Sequence, residues 1–254
     1  MAENLKWDHT IIDVNDINEA IKWFDEKGIV FHNGGKHEQW GTSNAVSYFG
    51  LNYIELMSVY NPELASHVKR DGATSIYDCI HDLPDQHINT IGFRTDDIEA
   101  VHERLLSQNF PVEDIQTGTR RDPKGNLITW KIFFVRNKFF QVPYPYVVQW
   151  NDSDYIRKEN LIKKNLLVEH PRKGIMVKQA IYRVTNPEIM AIKWGQFVGI
   201  APIRDDKDYV IDFGDRQIVF KSGQNNYITD LVFGNSGDLA GKSFEFGDAS
   251  LHFE

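Results

Sequence analysis

The order of caps, apolar runs and turns predicts an α+β protein, built of βαβββ units whose strands join in a curved mixed sheet. Three observations carry that prediction. A strand–cap–helix grammar recurs along the chain, strand-length apolar runs follow each helix, and turn residues separate those runs. At 254 residues the chain is long enough for one large domain or two modest ones, with a sizeable core.

The first copy of the grammar opens with a strand over 9–14. Asp16 follows as an N-cap, with Glu19 three residues on, and then a helix over 17–24. Ile17, Ala20, Ile21 and Phe24 fall at helical spacing and face a sheet, and Gly28 ends the helix. The second copy runs from a strand over 89–94 through Thr95-Asp96-Asp97 to a helix over 98–106. The third runs from a strand over 179–184 through Thr185-Asn186-Pro187 to a helix over 188–197. It reuses Ala20-Ile21-Lys22-Trp23 as Ala191-Ile192-Lys193-Trp194. Strands are expected after the first helix at 30–32, 42–49 and 53–59, with a hairpin turn at Gly50-Leu51-Asn52. After the second they fall at 114–120, 127–135 and 146–150, with a turn at Asp122-Pro123-Lys124-Gly125. After the third they fall at 209–213, 217–221 and 227–233, before a last hairpin through Gly247-Asp248. The expected organisation is a two-unit domain over 1–150, a polar connecting segment over 151–173 and a third unit over 174–254. Leu161, Ile162, Leu166 and Leu167 place a short helix in the connecting segment.

Composition narrows the partners. The net charge is −8 with no Lys/Arg cluster, which argues against nucleic acid. Apolar runs of strand length are too short to cross a bilayer. The polar opening, with Glu3 and Asp8, lacks the plan of a signal peptide. Cys79 is the only cysteine, so neither an intramolecular disulfide nor a thiolate zinc cluster is available. In its apolar context it reads as a packing residue, and the whole suits a reducing cytosol. No Ser-His-Asp order, P-loop or dinucleotide fingerprint is present.

Paired units of this kind, together with specific residues, resemble the vicinal oxygen chelate superfamily, and residues 7–150 a glyoxalase-like domain. The matching residues are Asp8-His9, Gly34-Gly35-Lys36-His37, Trp40-Gly41-Thr42-Ser43-Asn44 and Tyr53-Ile54-Glu55-Leu56. They continue with Trp130 after the Pro123-Lys124-Gly125 turn, and with Pro143-Tyr144-Pro145 leading into Gln149-Trp150. The third unit matches in grammar alone. The resemblance implies an open sheet whose concave face holds a divalent metal (zinc, nickel, manganese or iron) and a small-molecule substrate. It implies ligands from the first and last strands of each unit, which carries over as His9, Glu55 and Gln149, with Asn89 at the His9 position of the second unit. Gln179 would hold that position in the third.

Strand alternation puts Tyr53, Glu55 and Met57 on one face, and groups His9 with Ile11 and Gln149 with Val147. With inward directions taken from the family, His9, Glu55 and Gln149 share the cleft. Imidazole, carboxylate and a side-chain amide are acceptable metal ligands, and the alternative is a polar pair hydrogen-bonded across the sheet. Glu55 and His37 are candidate proton carriers, and the alternative for His37 is a place in an exposed hairpin. Trp40, Asn44, Tyr53, Arg120 and Trp130 are candidate substrate contacts. Arg120 would clamp a carboxylate, although a solvated charge pair with Arg121 is the simpler reading, and aromatics in strands are often core. Gly34-Gly35 reads as turn geometry. Two functions compete: a metal-assisted lyase or isomerase on a small oxygen-bearing metabolite, and a metal-free protein sequestering an aromatic or antibiotic-like ligand. A third unit without ligands would serve to cover the pair or to build a homodimer.

Overall fold

The computed structural model describes residues 5–69, 74–81, 86–167 and 169–254. Glu3 and the rest of the chain's opening up to residue 4 lie outside the described residues. In the first unit β1 (Lys6–Asp13), α1 (Ile17–Asp25), β2 (His32–His37), β3 (Thr42–Phe49) and β4 (Asn52–Val59) follow one another. Two short helices, α2 (Pro62–Ser66) and α3 (Thr74–His81), come next. The second unit holds β5 (His87–Arg94), α4 (Ile98–Ser107), β6 (Gln116–Arg121) and β7 (Leu127–Phe133). It continues through a small ribbon of β8 (Lys138–Phe139) and β9 (Val142–Pro143) into β10 (Tyr146–Trp150). The connecting segment carries α5 (Asp154–Lys163). Beyond it lie β11 (Met176–Val184), α6 (Pro187–Val198), β12 (Ile203–Asp205), β13 (Asp208–Asp212) and β14 (Gln217–Ser222). The chain ends with β15 (Tyr227–Gly234), a 3-10 turn, β16 (Ser243–Phe246) and β17 (Ala249–Phe253).

Each long helix starts where a side chain meets its unpaired amides. Asp16 accepts from the amides of Asn18 and Glu19 at 2.7 and 3.0 Å, Asp97 from Ala100 at 3.0 Å, and Asn186 from Ile189 at 3.3 Å. Such a cap is worth about 1 kcal/mol. In every unit the strand before the helix runs parallel to the last strand after it: β1 with β4, β5 with β10, β11 with β14.

The strand order of the main sheet is β1-β4-β3-β2-β6-β7-β10-β5-β15-β11-β14-β13-β12. Because β1 also pairs with β5, the first eight strands of that order return on themselves. The expected open cleft is therefore closed at one seam, where Lys36 of β2 pairs with Arg121 of β6. Gly35 makes the seam possible: at φ 141° a Cβ there would stand 1.8 Å from the Arg121 carbonyl oxygen. Its role is close approach within a strand, not the turn expected from the Gly34-Gly35 pair.

The C-terminal part also departs from the expected single unit. β15 is antiparallel to β11 as β5 is to β1, and parallel to β17 as β5 is to β10. The run over 227–233 thus opens a fourth, shortened unit, with a 3-10 turn (Gly237–Leu239) in place of a helix. The molecule is two pairs of units, and one apolar core runs from Leu5 to Phe253 through both. Among the described residues no helix is long and apolar enough to cross a membrane.

Candidate active site

Inside the ring of the first eight strands is a cavity of about 40 Å3, room for roughly three waters or a molecule of a few heavy atoms. Among its lining residues are His9, His37, Trp40, Asn44, Tyr53, Glu55, Arg120 and Trp130, all of which the sequence places in the cleft. Gln149 does not join them. Its side chain lies on the helix side, where Oε1 accepts from the Ile98 amide at the start of α4 at 2.9 Å. Tyr146, Val148 and Trp150 face the cavity instead, and Val147 lies in the core between sheet and helices.

The register explains the difference. Val14 after β1 donates to the Met57 carbonyl, and Thr95 after β5 donates to the Val148 carbonyl. Matching those two bonds makes Tyr146 the counterpart of Glu55 and Tyr144 the counterpart of Tyr53. His9 pairs with Tyr53, and Thr90 donates to the Tyr144 carbonyl at 3.3 Å, so Thr90 is the counterpart of His9. Asn89, expected there, instead donates to Asp13 at 2.7 Å, beside His87, whose Nε2 is 3.1 Å from the same carboxylate.

A chain of polar groups crosses the cavity wall. A register shift between Trp7 and His9 lets the side chains of Asp8 and His9 meet although they are neighbours in a strand. The Asp8 carboxylate accepts from His9 Nδ1 at 2.9 Å, from Arg157 at 2.8 Å and from Trp150 Nε1 at 3.2 Å. Burial alone would raise the Asp8 carboxyl. The Arg157 guanidinium, the His9 ring and Arg94 outweigh it and hold the carboxyl well below the usual carboxylate range. An ionised Asp8 is an acceptor only, so His9 carries its proton on Nδ1. In the neutral ring Nε2 is then the acceptor for the Tyr146 hydroxyl, with which it is hydrogen-bonded. Burial, reinforced by Glu55 and Asp8, pushes the Tyr146 phenol far up and keeps it protonated. Gly92 opposite makes room for the imidazole, since a Cβ there would stand 2.4 Å from His9 Cε1.

Glu55 sits at the end of this chain. Its Oε2 is 3.6 Å from His9 Nε2, and its Oε1 accepts from Asn44 Nδ2 at 2.7 Å. Arg120 in turn donates to Asn44 Oδ1 at 3.4 Å, so it reaches Glu55 through Asn44. His37 is buried, with Nε2 4.0 Å from Glu55 and Nδ1 3.1 Å from Thr42 Oγ1. Burial first, then the charges of Arg120 and His9, pull its pKa down to about 3, so it is a neutral imidazole at physiological pH. The walls are aromatic: Tyr53 stacks on His9 at 4.5 Å, and Trp130 lies 5.5 Å from Trp150. Cys79 packs against the same cluster, and burial pushes its thiol well up, in keeping with a packing role.

Sequence reasoning missed Asp8 as a partner, Arg157 of α5, and the hydrogen-bonding role of Tyr146, which reads from the sequence as part of an aromatic wall with Trp40 and Trp130. Arg157 is buried over the Trp150 ring at 4.4 Å, and nothing in its exposed-looking polar segment marks it. Aligning the units on their helix caps, Asp16 and Asp97, brings Thr90 opposite His9, but it does not bring Tyr146 opposite Glu55, which follow those caps by 49 and 39 residues.

The donor set can be weighed against the metal that the fold implies. The first- and last-strand positions read His9, Glu55, Thr90 and Tyr146. Two are hydroxyls, and one of these already engages the His9 lone pair. Divalent first-row ions favour imidazole and carboxylate donors. Among the described residues no three His, Cys, Asp or Glu side chains converge as a cation cage. At these four positions the set supplies two such donors, His9 and Glu55, and the nearest further imidazole is His37, 4.0 Å from Glu55.

Strands in paired βαβββ units around an enclosed polar pocket define the vicinal oxygen chelate class of fold. A glyoxalase-like domain model matches residues 7–198, from the first strand into the third unit, and the chain belongs to that family. A hypothetical protein from Staphylococcus aureus superposes with a TM-score of 0.85 at 23% identity, over 98% of this chain and 99% of that one. The Mn(II)-bound glyoxalase from Novosphingobium aromaticivorans gives 0.58 at 10% identity, over 100% and 82%. Methylmalonyl-CoA epimerase from Mycobacterium tuberculosis gives 0.42 at 19% identity, over 60% and 93%. None of the curated proteins matches the chain.

Proposed function

We propose that this protein is an enzyme of the isomerase or lyase type that moves protons on a small metabolite bearing two adjacent oxygens. The observation that carries this reading is the hydrogen-bonded chain Asp8–His9–Tyr146 ending beside Glu55 in a closed cavity. Glu55 takes a proton from carbon next to the carbonyl and returns it to the neighbouring carbon. The substrate hydroxyl gives its proton to the Tyr146 oxygen while Tyr146 passes its own to His9 Nε2. Asp8 holds the imidazole and offsets the charge of the imidazolium formed. Reversal through Tyr146 delivers that proton to the second oxygen, so atoms and charge balance over the cycle. Asn44 and Arg120 fix Glu55, and the aromatic walls exclude water. A cavity of a few heavy atoms suits a three- or four-carbon substrate.

The test is deuterium wash-in from D2O into dihydroxyacetone and hydroxyacetone, followed by NMR. Exchange catalysed by the native protein is expected to fall at least about 100-fold in Glu55→Gln and in Tyr146→Phe, the usual scale for a lost proton carrier. Exchange untouched by Glu55→Gln overturns the reading. So does activity that a chelator abolishes and Mn(II) restores. The aromatic lining favours one other reading, sequestration of a small planar ligand; saturable binding without any exchange would select it.

A further inference from the structure

A larger cavity, of about 530 Å3, lies between the first pair of units and the C-terminal pair. That is the size of an ordinary small-molecule site. Its apolar wall includes Trp7, Phe49, Phe213 and Ile200, with Trp7 and Phe213 edge to face at 6.5 Å. Four cations line it from separate elements: Lys6 of β1, Arg94 of β5, Lys158 of α5 and Arg216 beside β14. The carboxylates on the lining are Asp212 and Asp215. Lys6 and Arg94 are already paired, both with Asp154 at 2.8 and 2.9 Å and Arg94 also with Asp8 at 3.5 Å.

Two side chains on this lining hold unmet hydrogen-bonding capacity. Arg216 is only 10% exposed, with Nε and Nη2 on Asp215 at 3.2 and 2.7 Å. Its Nη1 is buried with no partner among the described residues. Asn52 donates through Nδ2 to the carbonyls of Trp7 and Asp8 at 3.3 and 3.2 Å, and its Oδ1 is likewise buried and unmet. Buried polar groups are almost always paired, so an unmet donor and an unmet acceptor on two residues of this lining mark where a ligand with matching groups would be held. A buried guanidinium held by one carboxylate takes a second oxyanion with charge-assisted hydrogen bonds.

We propose that this cavity is a second ligand site, separate from the closed cleft, for a small organic anion. A carboxylate or phosphate group sits against Arg216 within reach of Lys158, a donor on the ligand meets Asn52, and an apolar ring lies along Trp7 and Phe213. The site stands whether or not the cleft is catalytic.

Isothermal titration of the full chain with phenyl phosphate and with benzoate tests it, with benzyl alcohol as the uncharged comparison. One-to-one binding of either anion is expected, and which of them binds more tightly decides between phosphate and carboxylate. Arg216→Gln should weaken that binding at least tenfold, and Arg120→Gln, in the cleft, should leave it unchanged. If Arg216→Gln fails to fold, Lys158→Glu on the exposed rim should still weaken binding severalfold. The proposal is overturned if neither anion binds, or if benzyl alcohol binds as well as they do. It is equally overturned if affinity follows Arg120→Gln instead of Arg216→Gln, or if Lys158→Glu has no effect.

Discussion

The two pairs of units share one strand plan and present opposite chemistry on the matching face. The β1–β5 and β11–β15 ladders even share a register shift, between Trp7 and His9 in the first and between Val177 and Gln179 in the second. Gln179 therefore stands where His9 stands. Ile11 pairs with Glu55 across β1 and β4, and Ile181 pairs with Val219 across β11 and β14, so Val219 stands where Glu55 stands. In the first pair these positions carry a charged, hydrogen-bonded chain inside a closed ring. In the second, Ile181, Val219 and Val232 form a small apolar cluster, and Gln179 bonds its neighbour Gln217 at 2.9 Å. The lesson is that the shared plan builds the scaffold, while ring closure and a few side chains make the site.

The largest expected effect separates scaffold from site. If the second pair only supports the first, cutting the chain after Trp150 should still wreck the first pair. The cut strips Phe197 and Phe213 from Phe93, at centroid distances of 6.2 and 5.7 Å, and Phe233 from Phe49. It also removes Arg157 from Asp8, and breaking a buried ion pair by deleting one partner costs about 3–5 kcal/mol. The fragment over 1–150 is expected to be aggregated in size-exclusion chromatography. A monodisperse fragment with native-like circular dichroism would mean that the two pairs are energetically separate.

Much of this architecture is legible in the sequence. The caps at Asp16, Asp97 and Asn186, the strands 42–49, 146–150 and 217–221 and the last hairpin all follow from local patterns, because alternation and capping act over a few residues. What failed needed information between units. Alternation groups Gln149 with Val147 correctly, but its inward direction came from the resemblance alone, and β10, apolar on both faces (Val147 on one, Val148 on the other), carries no pattern to correct it. Asp8 alternates with His9, and only a bulge brings the two side chains together. The partner of Asp8, Arg157, is 149 positions away in sequence, beyond any spacing rule. The fourth unit went unseen because a 3-10 turn replaces its helix.

A smaller effect distinguishes the faces by pH. His37 is buried at a pKa of about 3, whereas an unfolded chain holds histidine near 6.5. Between those values the unfolded state binds the extra proton, so stability rises with pH across that window and is lost as pH falls below about 6.5. At about 1.4 kcal/mol per unit, going from pH 7 to pH 5 should cost about 2 kcal/mol through this residue alone. Urea unfolding at the two pH values, beside His37→Gln, measures it: the native protein should lose about 2 kcal/mol more than the variant. Equal losses would mean that water reaches the ring and that the cleft is not closed at the Lys36–Arg121 seam.

The smallest expected effect falls on the matching position of the second pair. Gln179 occupies the place of His9, yet it has no carboxylate behind it and no phenol before it. Its hydrogen bond to Gln217 lies at a half-buried surface, where such a bond contributes about 1 kcal/mol. Gln179→Ala should therefore change deuterium wash-in less than about twofold and stability by about 1 kcal/mol or less, against the roughly 100-fold loss expected for Tyr146→Phe. A large loss of exchange in Gln179→Ala would mean that the second face takes part in turnover. The division drawn between scaffold and site would then have to be given up, because an uncharged, half-buried position would be steering chemistry in the other pair.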